Sequence, residues 1–387
     1  MSSSAALELH LDDAQRALYE GTLQLASEVL KPLADAGPPG RVNRPLIEAL
    51  AEHGLLARVF GQGAEDRVSA IDLCLIREAL ARGCTEAETA FALQGLGAYP
   101  IVQAGGSELR ERWLPSVAAG TAVAAFALTE PDAGSDPAAL SLRAEPDGDG
   151  GYVLDGDKLW ISNAPDADVY TVFARSDPDA RGARGLTAFA IPGDTEGLSG
   201  EPLELLAPHA IGSLRFDGVH ADPDQILGEP GSGFRVAMRT LDLFRPSVGA
   251  FAIGMARAAL DLTIAYTSTR TTFGLRLREH QAIAHRLAEL RAQTEAARLL
   301  VHQAALAHDR GVPDPGVAAM SKLLATEVAQ QVVDAAVQFH GAVALQRGHP
   351  LEHLYRDVRA PRIYEGASEI QREIIARRMY AEFEERA

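Results

Sequence analysis

A carboxylate, Glu365, stands between an aromatic residue, Tyr364, and a glycine, Gly366, in the run Arg362-Ile363-Tyr364-Glu365-Gly366-Ala367-Ser368-Glu369-Ile370-Gln371-Arg372. The stretch from Ile370 to Arg378 has amphipathic helical spacing, and Ala367-Ser368 stands where a helix cap belongs. A Glu just ahead of a helix, beside a Gly that lets another molecule approach, is suited to be a general base. The alternative is a solvated Glu in a turn, the ordinary place for an acidic residue.

Other stretches carry groups that bind rather than react. Phe126-Ala127-Leu128-Thr129-Glu130-Pro131-Asp132-Ala133-Gly134-Ser135-Asp136 joins a strand to a tight turn. Thr129 and Ser135 offer hydroxyls and Gly134 permits backbone approach, so this turn can hydrogen-bond a polar heterocycle. It is also what an ordinary hairpin corner looks like. Lys158-Leu159-Trp160-Ile161-Ser162-Asn163 puts Trp160 and Ser162 two apart on one strand face, as an aromatic wall beside a hydroxyl or as a core Trp. Arg270-Thr271-Thr272-Phe273-Gly274 follows a long helical pattern, and His280-Gln281 starts the next. An Arg beside a helix N-terminus makes an anion site, or else this is a solvated connection. Asp242 and Arg245 share a helix face at i, i+3, which as a surface ion pair is worth little. The histidines give no zinc spacing: His302 and His308 are six apart, and for His349 and His353, four apart, no carboxylate-rich partner site is evident in the sequence. There is no nucleophile elbow, no P-loop and no glycine fingerprint between a strand and a helix, which argues against a Rossmann fold.

The elements that must position these residues follow from periodicity. Helical patterns cover 11–33, 45–54, 69–82 and 85–97, with a short helix at 107–114 closed by Pro115. Short apolar runs at 122–128, 152–154, 159–162, 169–174 and 186–191, separated by turns such as Asp155-Gly156-Asp157, read as a small β domain ending near Gly228. Long helices return at 234–268, 279–309 and 317–339, with a shorter one at 351–358, and suggest a bundle. The expected organisation is an N-terminal helical domain (1–121), a central β domain (122–229) and a C-terminal helical bundle (230–387), a mostly α member of the α+β class.

Composition excludes some functions. A chain of 387 residues with 47% hydrophobic and 23% charged residues is ordinary globular material. Its net charge of −17 repels phosphate backbones, so no nucleic-acid partner is expected. No apolar run is expected to reach the length that crosses a bilayer, and Met1-Ser2-Ser3-Ser4 does not begin a signal peptide. The two cysteines, Cys74 and Cys84, read as reduced thiols in a cytoplasmic protein. Only three of the 36 basic residues are lysine: Lys31, Lys158 and Lys322.

Taken together, Ala127 to Asp136, Trp160 to Asn163, Arg270 to Gly274 with His280-Gln281, and Tyr364-Glu365-Gly366 with Ser368 resemble the acyl-CoA dehydrogenase family, over about residues 45 to 380. The resemblance implies that family's fold: a helical N-terminal domain, a central β domain and a C-terminal four-helix bundle. It implies FAD. Phe126, Leu128, Thr129, Gly134, Ser135, Trp160, Ile161 and Ser162 then hold the flavin ring. Arg270, Phe273, Gln281 and Gln338 hold the pyrophosphate and adenosine, in part across a subunit boundary, and Ala367 and Ser368 approach the cofactor. Ser135, Asp242, Arg245, Tyr364 and Gly366 fall where the family meets its acyl thioester, and Glu365 matches the base. A homotetramer or homodimer passing electrons to an electron-transfer flavoprotein is implied.

There are departures from the family pattern. After Gln338 only Gly341 remains of a glycine-rich run among the cofactor contacts, the segment 205–213 lacks an Arg-Gly-Ser, and 58–63 lacks a Pro-Glu loop. A second base position known in relatives falls on Phe244. The expected reaction is α,β-dehydrogenation of a saturated thioester, carried on coenzyme A or an acyl carrier protein, to a trans-2-enoyl thioester. The rivals are a flavin oxidase or monooxygenase on the same fold, and an idle flavoprotein with a binding role.

Overall fold

Asp12 opens the first helix with a capping box: its carboxylate accepts from Gln15 N at 2.8 Å, and the Gln15 side-chain oxygen accepts from Asp12 N at 3.1 Å. In this computed structural model, which describes residues 8, 10–60, 68–180, 182–207 and 209–385, that helix is Asp13–Leu25 (α1). It runs on through a π-helical turn at Ala26–Leu30 into Lys31–Asp35. The expectations that concern Met1 to Ser4, Gly61-Gln62-Gly63 and Pro208 lie outside the described residues. Further helices are Arg44–Glu52 (α2), Ala57–Phe60 (α3), Ala70–Gly83 (α4), Thr85–Ala104 (α5) and Ser107–Ala118 (α6). Pro115 does not close its helix but lies inside α6. A proline removes its own N–H, yet its carbonyl still accepts, here from Ala119 N at 3.0 Å.

The strands are Ala124–Ala127 (β1), Arg143–Pro146 (β2), Tyr152–Ser162 (β3), Val169–Arg175 (β4), Leu186–Pro192 (β5), Leu198–Pro202 (β6), Ile211–Ala221 (β7) and Ile226–Leu227 (β8). They form one sheet in the order β6-β7-β3-β2-β4-β5-β8, with β1 parallel to β4. β4 and β5 are buried almost throughout, as their continuous apolar runs require. β2, β6 and β7 were not expected. The Asp155-Gly156-Asp157 turn is instead absorbed within β3 as a register shift, with Gly156 at φ 139°.

The described residues group into two compact units. One comprises Pro32–Val68 and Thr89–Leu241 and is built on the sheet. There α5 meets β1 backbone to backbone: a Cβ at Gly97 would stand 2.5 Å from Ala125 N. The Gln94 amide donates to Ala122 O and accepts from Ala124 N, both at 2.8 Å, which fixes the start of β1.

The other unit comprises Met1–Lys31, Ser69–Glu88 and Asp242–Ala387. Its helices are α1, α4, most of Gly233–Thr269 (α7), Gln281–Asp309 (α8), Pro315–His340 (α9), Pro350–Asp357 (α10) and Ser368–Glu384 (α11). α4 is buried from Ala70 to Ala81 except at Asp72, and Gly254 of α7 packs so closely that a Cβ would stand 2.4 Å from Glu78 O. Burial opposes ionisation of Glu78, but Arg298, Arg257 and His302 hold its carboxyl well below the usual range. α7 corrects one expectation: it contains an 18-residue window of mean hydropathy 1.5, long and apolar enough to cross a membrane, of which 72% is buried inside the protein. The apolar residues of a packed core helix satisfy the same length and composition test.

Candidate active site

Lys322, fully buried on α9, donates to Tyr364 O at 3.0 Å and to Gly366 O at 2.7 Å. The two carbonyls flanking Glu365 are thereby clamped by one ammonium, and Gln371 Nε2 adds a bond to Gly366 O at 2.8 Å. Glu365 has φ 49° and Gly366 φ 90°. A non-glycine residue held in the left-handed region costs on the order of 1–3 kcal/mol and persists only where its surroundings over-determine it. Gly366 suits glycine because its φ is positive, and a Cβ would stand 2.6 Å from Gln371 Nε2, whose side chain would have to give way. Burial pushes the Lys322 ammonium down to about 8, against the pull of Glu365.

Glu365 Oε2 is enclosed and accepts no hydrogen bond among the described residues. Burial pushes its carboxyl up, and Arg77, Lys322 and Arg245 pull it back. Arg245 does pair with Asp242 at 3.0 Å, but its side chain is only 9% exposed against 51% for Asp242, so the pair is half-buried rather than on the surface. Arg77 is buried on α4 against Glu88, Nε to Oε1 at 2.5 Å. Its Nη1 donates to Ser247 Oγ at 2.6 Å, and Ser247 Oγ donates to Phe244 O at 2.6 Å. Phe244 itself is fully buried. Burial, then Glu88, pushes the Tyr364 phenol well above its ordinary range, so it stays neutral. Sequence reasoning missed Lys322, Arg77 and Glu88. The rarity of lysine was a signal for Lys322; the pair on α4 and α5 had none.

Ser368 corrects the capping expectation. Its hydroxyl donates to Glu327 Oε1 at 2.7 Å, and Ala367 at the cap position makes no side-chain cap bond. Glu327 is a stronger acceptor than a main-chain carbonyl because it is charged, and Arg362 holds it at 2.9 Å.

Elsewhere in this unit, Thr271–Thr272 (β9) and Leu275–Arg276 (β10) form a hairpin turned by Phe273 at φ 51° and Gly274 at φ 79°. Phe273 is 96% exposed. Arg270, just ahead of the hairpin, makes no ion pair among the described residues. Gln281 begins α8, whose cap residue His280 supplies no side-chain bond to the first turn. Gln338 is exposed near the end of α9, where Gly341 turns the chain at φ 68°.

The sheet unit holds Phe126, Leu128, Thr129, Gly134, Ser135, Trp160, Ile161 and Ser162. The loop after β1 hangs on Glu130, which accepts from Ser141 N at 2.6 Å, Ser141 Oγ at 2.8 Å, Leu142 N at 2.9 Å and Lys158 Nζ at 2.8 Å. Lys158 also donates to Leu128 O at 2.9 Å. Thr129 is part-exposed, and Gly134 and Ser135 are exposed. Phe126 lies 4.9 Å from the Phe173 ring. Trp160, 50% exposed, sits at φ 59° within a register shift between Lys158 and Ile161. The irregularity lies just ahead of Ile161, and from Trp160 to Ser162 burial runs exposed, buried and part-exposed. Ile161 is buried.

Family models match the chain in order: the acyl-CoA dehydrogenase N-terminal domain over residues 12–121, the middle domain over 125–219 and the C-terminal domain over 231–380. The chain belongs to the acyl-CoA dehydrogenase family and is an oxidoreductase. It is 40% identical to the probable acyl-CoA dehydrogenase FadE25 of Mycobacterium tuberculosis over 321 residues, 82% of this chain and 81% of that one. Butyryl-CoA dehydrogenase from Megasphaera elsdenii superposes with a TM-score of 0.89 at 32% identity, covering 96% of this chain and 99% of that one. An FAD complex of PigA superposes with a TM-score of 0.89 at 29% identity, covering 95% of this chain and 98% of that one. That complex holds FAD, the cofactor that the sequence resemblance implies here. The residues present suit it: a half-exposed indole at Trp160 fits a flat ring, and Arg270, without an ion pair among the described residues, beside an uncapped helix start fits a pyrophosphate.

Proposed function

We propose that the protein removes the α- and β-hydrogens of a saturated acyl thioester, on coenzyme A or an acyl carrier protein, to give a trans-2-enoyl thioester. The observation that carries this reading is Glu365, a carboxylate whose enclosed Oε2 has no hydrogen-bond partner among the described residues, on a backbone clamped by Lys322. The α-proton of a thioester is weakly acidic, so its removal needs a base of raised proton affinity, and burial of Glu365 supplies one. Glu365 takes the α-proton. Main-chain N–H groups of the Tyr364–Gly366 loop serve the enolate-like charge on the thioester oxygen. FAD, when bound, supplies the acceptor for the β-hydride.

Phe126, Leu128, Thr129, Gly134, Ser135, Trp160, Ile161 and Ser162 serve the flavin ring, with Ile161 acting through its main chain. Arg270, Phe273, Gln281, Gln338 and Gly341 serve the pyrophosphate and adenosine, and Ala367 and Ser368 flank the cofactor. Ser135, Asp242, Arg245, Tyr364 and Gly366 serve the thioester. An electron-transfer flavoprotein is the electron acceptor. The exposed apolar side chains Phe273, Leu275, Leu345, Tyr380 and Phe383 support a homodimer or homotetramer. The free, buried thiols of Cys74 and Cys84 support a cytoplasmic setting.

The test is anaerobic mixing of the yellow protein with butyryl-CoA, longer and branched acyl-CoAs and acyl carrier protein thioesters, with flavin bleaching followed by absorbance. Bleaching by at least one thioester is expected. No bleaching by any, with rapid reoxidation by oxygen after chemical reduction, would overturn the reading.

A further inference from the structure

Glu327 of α9 is not used by the chemistry above, yet both of its oxygens are taken by the loop that carries Glu365. Its Oε2 lies 2.9 Å from Arg362 Nη2, and its Oε1 accepts from Ser368 Oγ at 2.7 Å. Arg362 stands three residues before Glu365 and Ser368 three residues after it. We propose that Glu327 is a positioning residue for Glu365, one carboxylate that ties the two ends of the loop 362–368 to α9 and so fixes where the base stands. This rests on Glu365 being the base.

The Lys322 clamp alone does not fix the loop. Its bonds to Tyr364 O and Gly366 O meet at a single atom, Nζ, and two bonds that meet at one atom still allow rotation about it. Gln371 Nε2 holds Gly366 O, but Gln371 belongs to α11, the helix that leads on from the loop. Glu327 supplies the missing points. Upstream, Arg362 ends the 3-10 turn Ala360–Arg362, and its ion pair pins the chain as it enters the loop. Downstream, Ser368 is the first residue of α11 and only 4% exposed, so its bond to Glu327 fastens the start of that helix to α9 largely away from water. Lys322 and Glu327 lie on the same helix, about 7.5 Å apart along its axis. One rigid element thus touches the loop at its middle and at both ends. That is the over-determination which a non-glycine residue at φ 49° requires, and a helix provides it with more precision than a loop would. Arg372 Nη2 stands 3.7 Å from Glu327 Oε1, too far for a hydrogen bond, on a side chain that is more than half exposed, and adds little. A partly exposed ion pair contributes little to folding stability, so loss of Glu327 should show in the rate more than in the fold.

Stopped-flow flavin reduction of the FAD-loaded protein at rising butyryl-CoA concentration separates the limiting rate from the half-saturating concentration. Glu327→Ala should lower the limiting rate by roughly 10- to 100-fold, because misplacing a catalytic group by about 1 Å costs up to about 100-fold. It should change the half-saturating concentration by less than about threefold, since an interaction that serves only the reacting state leaves binding alone. Glu327→Gln keeps an oxygen for Ser368 and gives up the charge facing Arg362, so it should recover part of the rate, to within roughly three- to tenfold of the parent. Should Glu327→Ala fail to fold, Glu327→Gln carries the test with that smaller loss. A lower urea midpoint with the parent's limiting rate would show a tie that serves the fold alone, and would overturn the inference. So would a loss seen wholly in the half-saturating concentration, which would make Glu327 a residue that positions the thioester. If Glu365→Gln itself reduces flavin at the parent's rate, the reading of Glu365 as the base fails instead.

Discussion

Two of the chain's three lysines are buried beside a glutamate, and the two glutamates are treated oppositely. In the sheet unit, Glu130 accepts four hydrogen bonds, one of them from Lys158. Burial opposes its ionisation, but Lys158 and the Ser141 and Leu142 amides hold its carboxyl below the usual range. In the helical unit, Lys322 donates to the carbonyls either side of Glu365, and Oε2 has no partner among the described residues. The carboxyl goes up. A carboxylate with every lone pair occupied is an anchor, and it fixes the loop from Thr129 to Ser135. A carboxylate held by its backbone, with an oxygen that no donor occupies, is available to take a proton. The same two residue types, arranged differently, give structure in one place and chemistry in the other.

The largest expected effect separates the two carboxylates. Glu365→Gln should keep the fold and the yellow colour yet slow flavin reduction by the best thioester by roughly 10²–10⁴-fold, the range for loss of a general base. Stopped-flow reduction at parental speed would erase the contrast. Next is Lys158→Met, which leaves Glu130 buried without its counter-ion. Breaking a buried pair by removing one partner costs about 3–5 kcal/mol, read as a fall in the urea midpoint of unfolding. An unchanged midpoint would mean that Ser141 and Leu142 suffice. Lys322→Met should unclamp Tyr364 O and Gly366 O, and because misplacing a catalytic group by about 1 Å can cost about 100-fold, reduction should slow by up to that factor. A far smaller loss would show that Gln371 and Gly366 hold the loop alone.

How much of this was legible beforehand depended on whether a signal was local. The helix expected at 234–268 is Gly233–Thr269, because a sustained apolar face at 3.6 spacing has few other interpretations. β6 went unseen: Leu198-Ser199-Gly200-Glu201-Pro202 is an exposed edge with little to bury. β7 sets buried Leu214, Phe216 and Val219 among polar neighbours, but Gly212 and Gly218 interrupt the apolar pattern. Tyr364-Glu365-Gly366 was visible because a base, its neighbours and the following helix are consecutive. Arg77 and Glu88 were not, since their partner Ser247 is 170 residues from Arg77 and only folding brings them together. Lys322 showed itself only as a rare residue type, and nothing near it in the chain indicates the carbonyls it holds.

The smallest effect is the sharpest test of the comparison, because its sign differs between the two glutamates. Glu365 has its folded value raised above the ordinary 4.5, so the folded state holds that proton more tightly than the unfolded one. Its contribution to stability is complete below about 4.5 and is lost as pH rises through the folded value. At neutral pH an ionised Glu365 therefore detracts from stability. Glu130, lowered from the same 4.5, contributes stability above that value and loses it as pH falls through its folded value. Glu365→Gln should accordingly raise stability at pH 7, by about 0.5–2 kcal/mol, the size common when a strained functional site is relieved. It should also flatten the decline of stability as pH rises above about 4.5. Glu130→Gln should lower stability at pH 7 and flatten the decline on the acid side. Urea unfolding of the apoprotein at several pH values measures both. A Glu365→Gln variant less stable than the parent at pH 7 would mean that its carboxylate is satisfied in the folded protein, and the difference between anchor and base would have to be sought elsewhere.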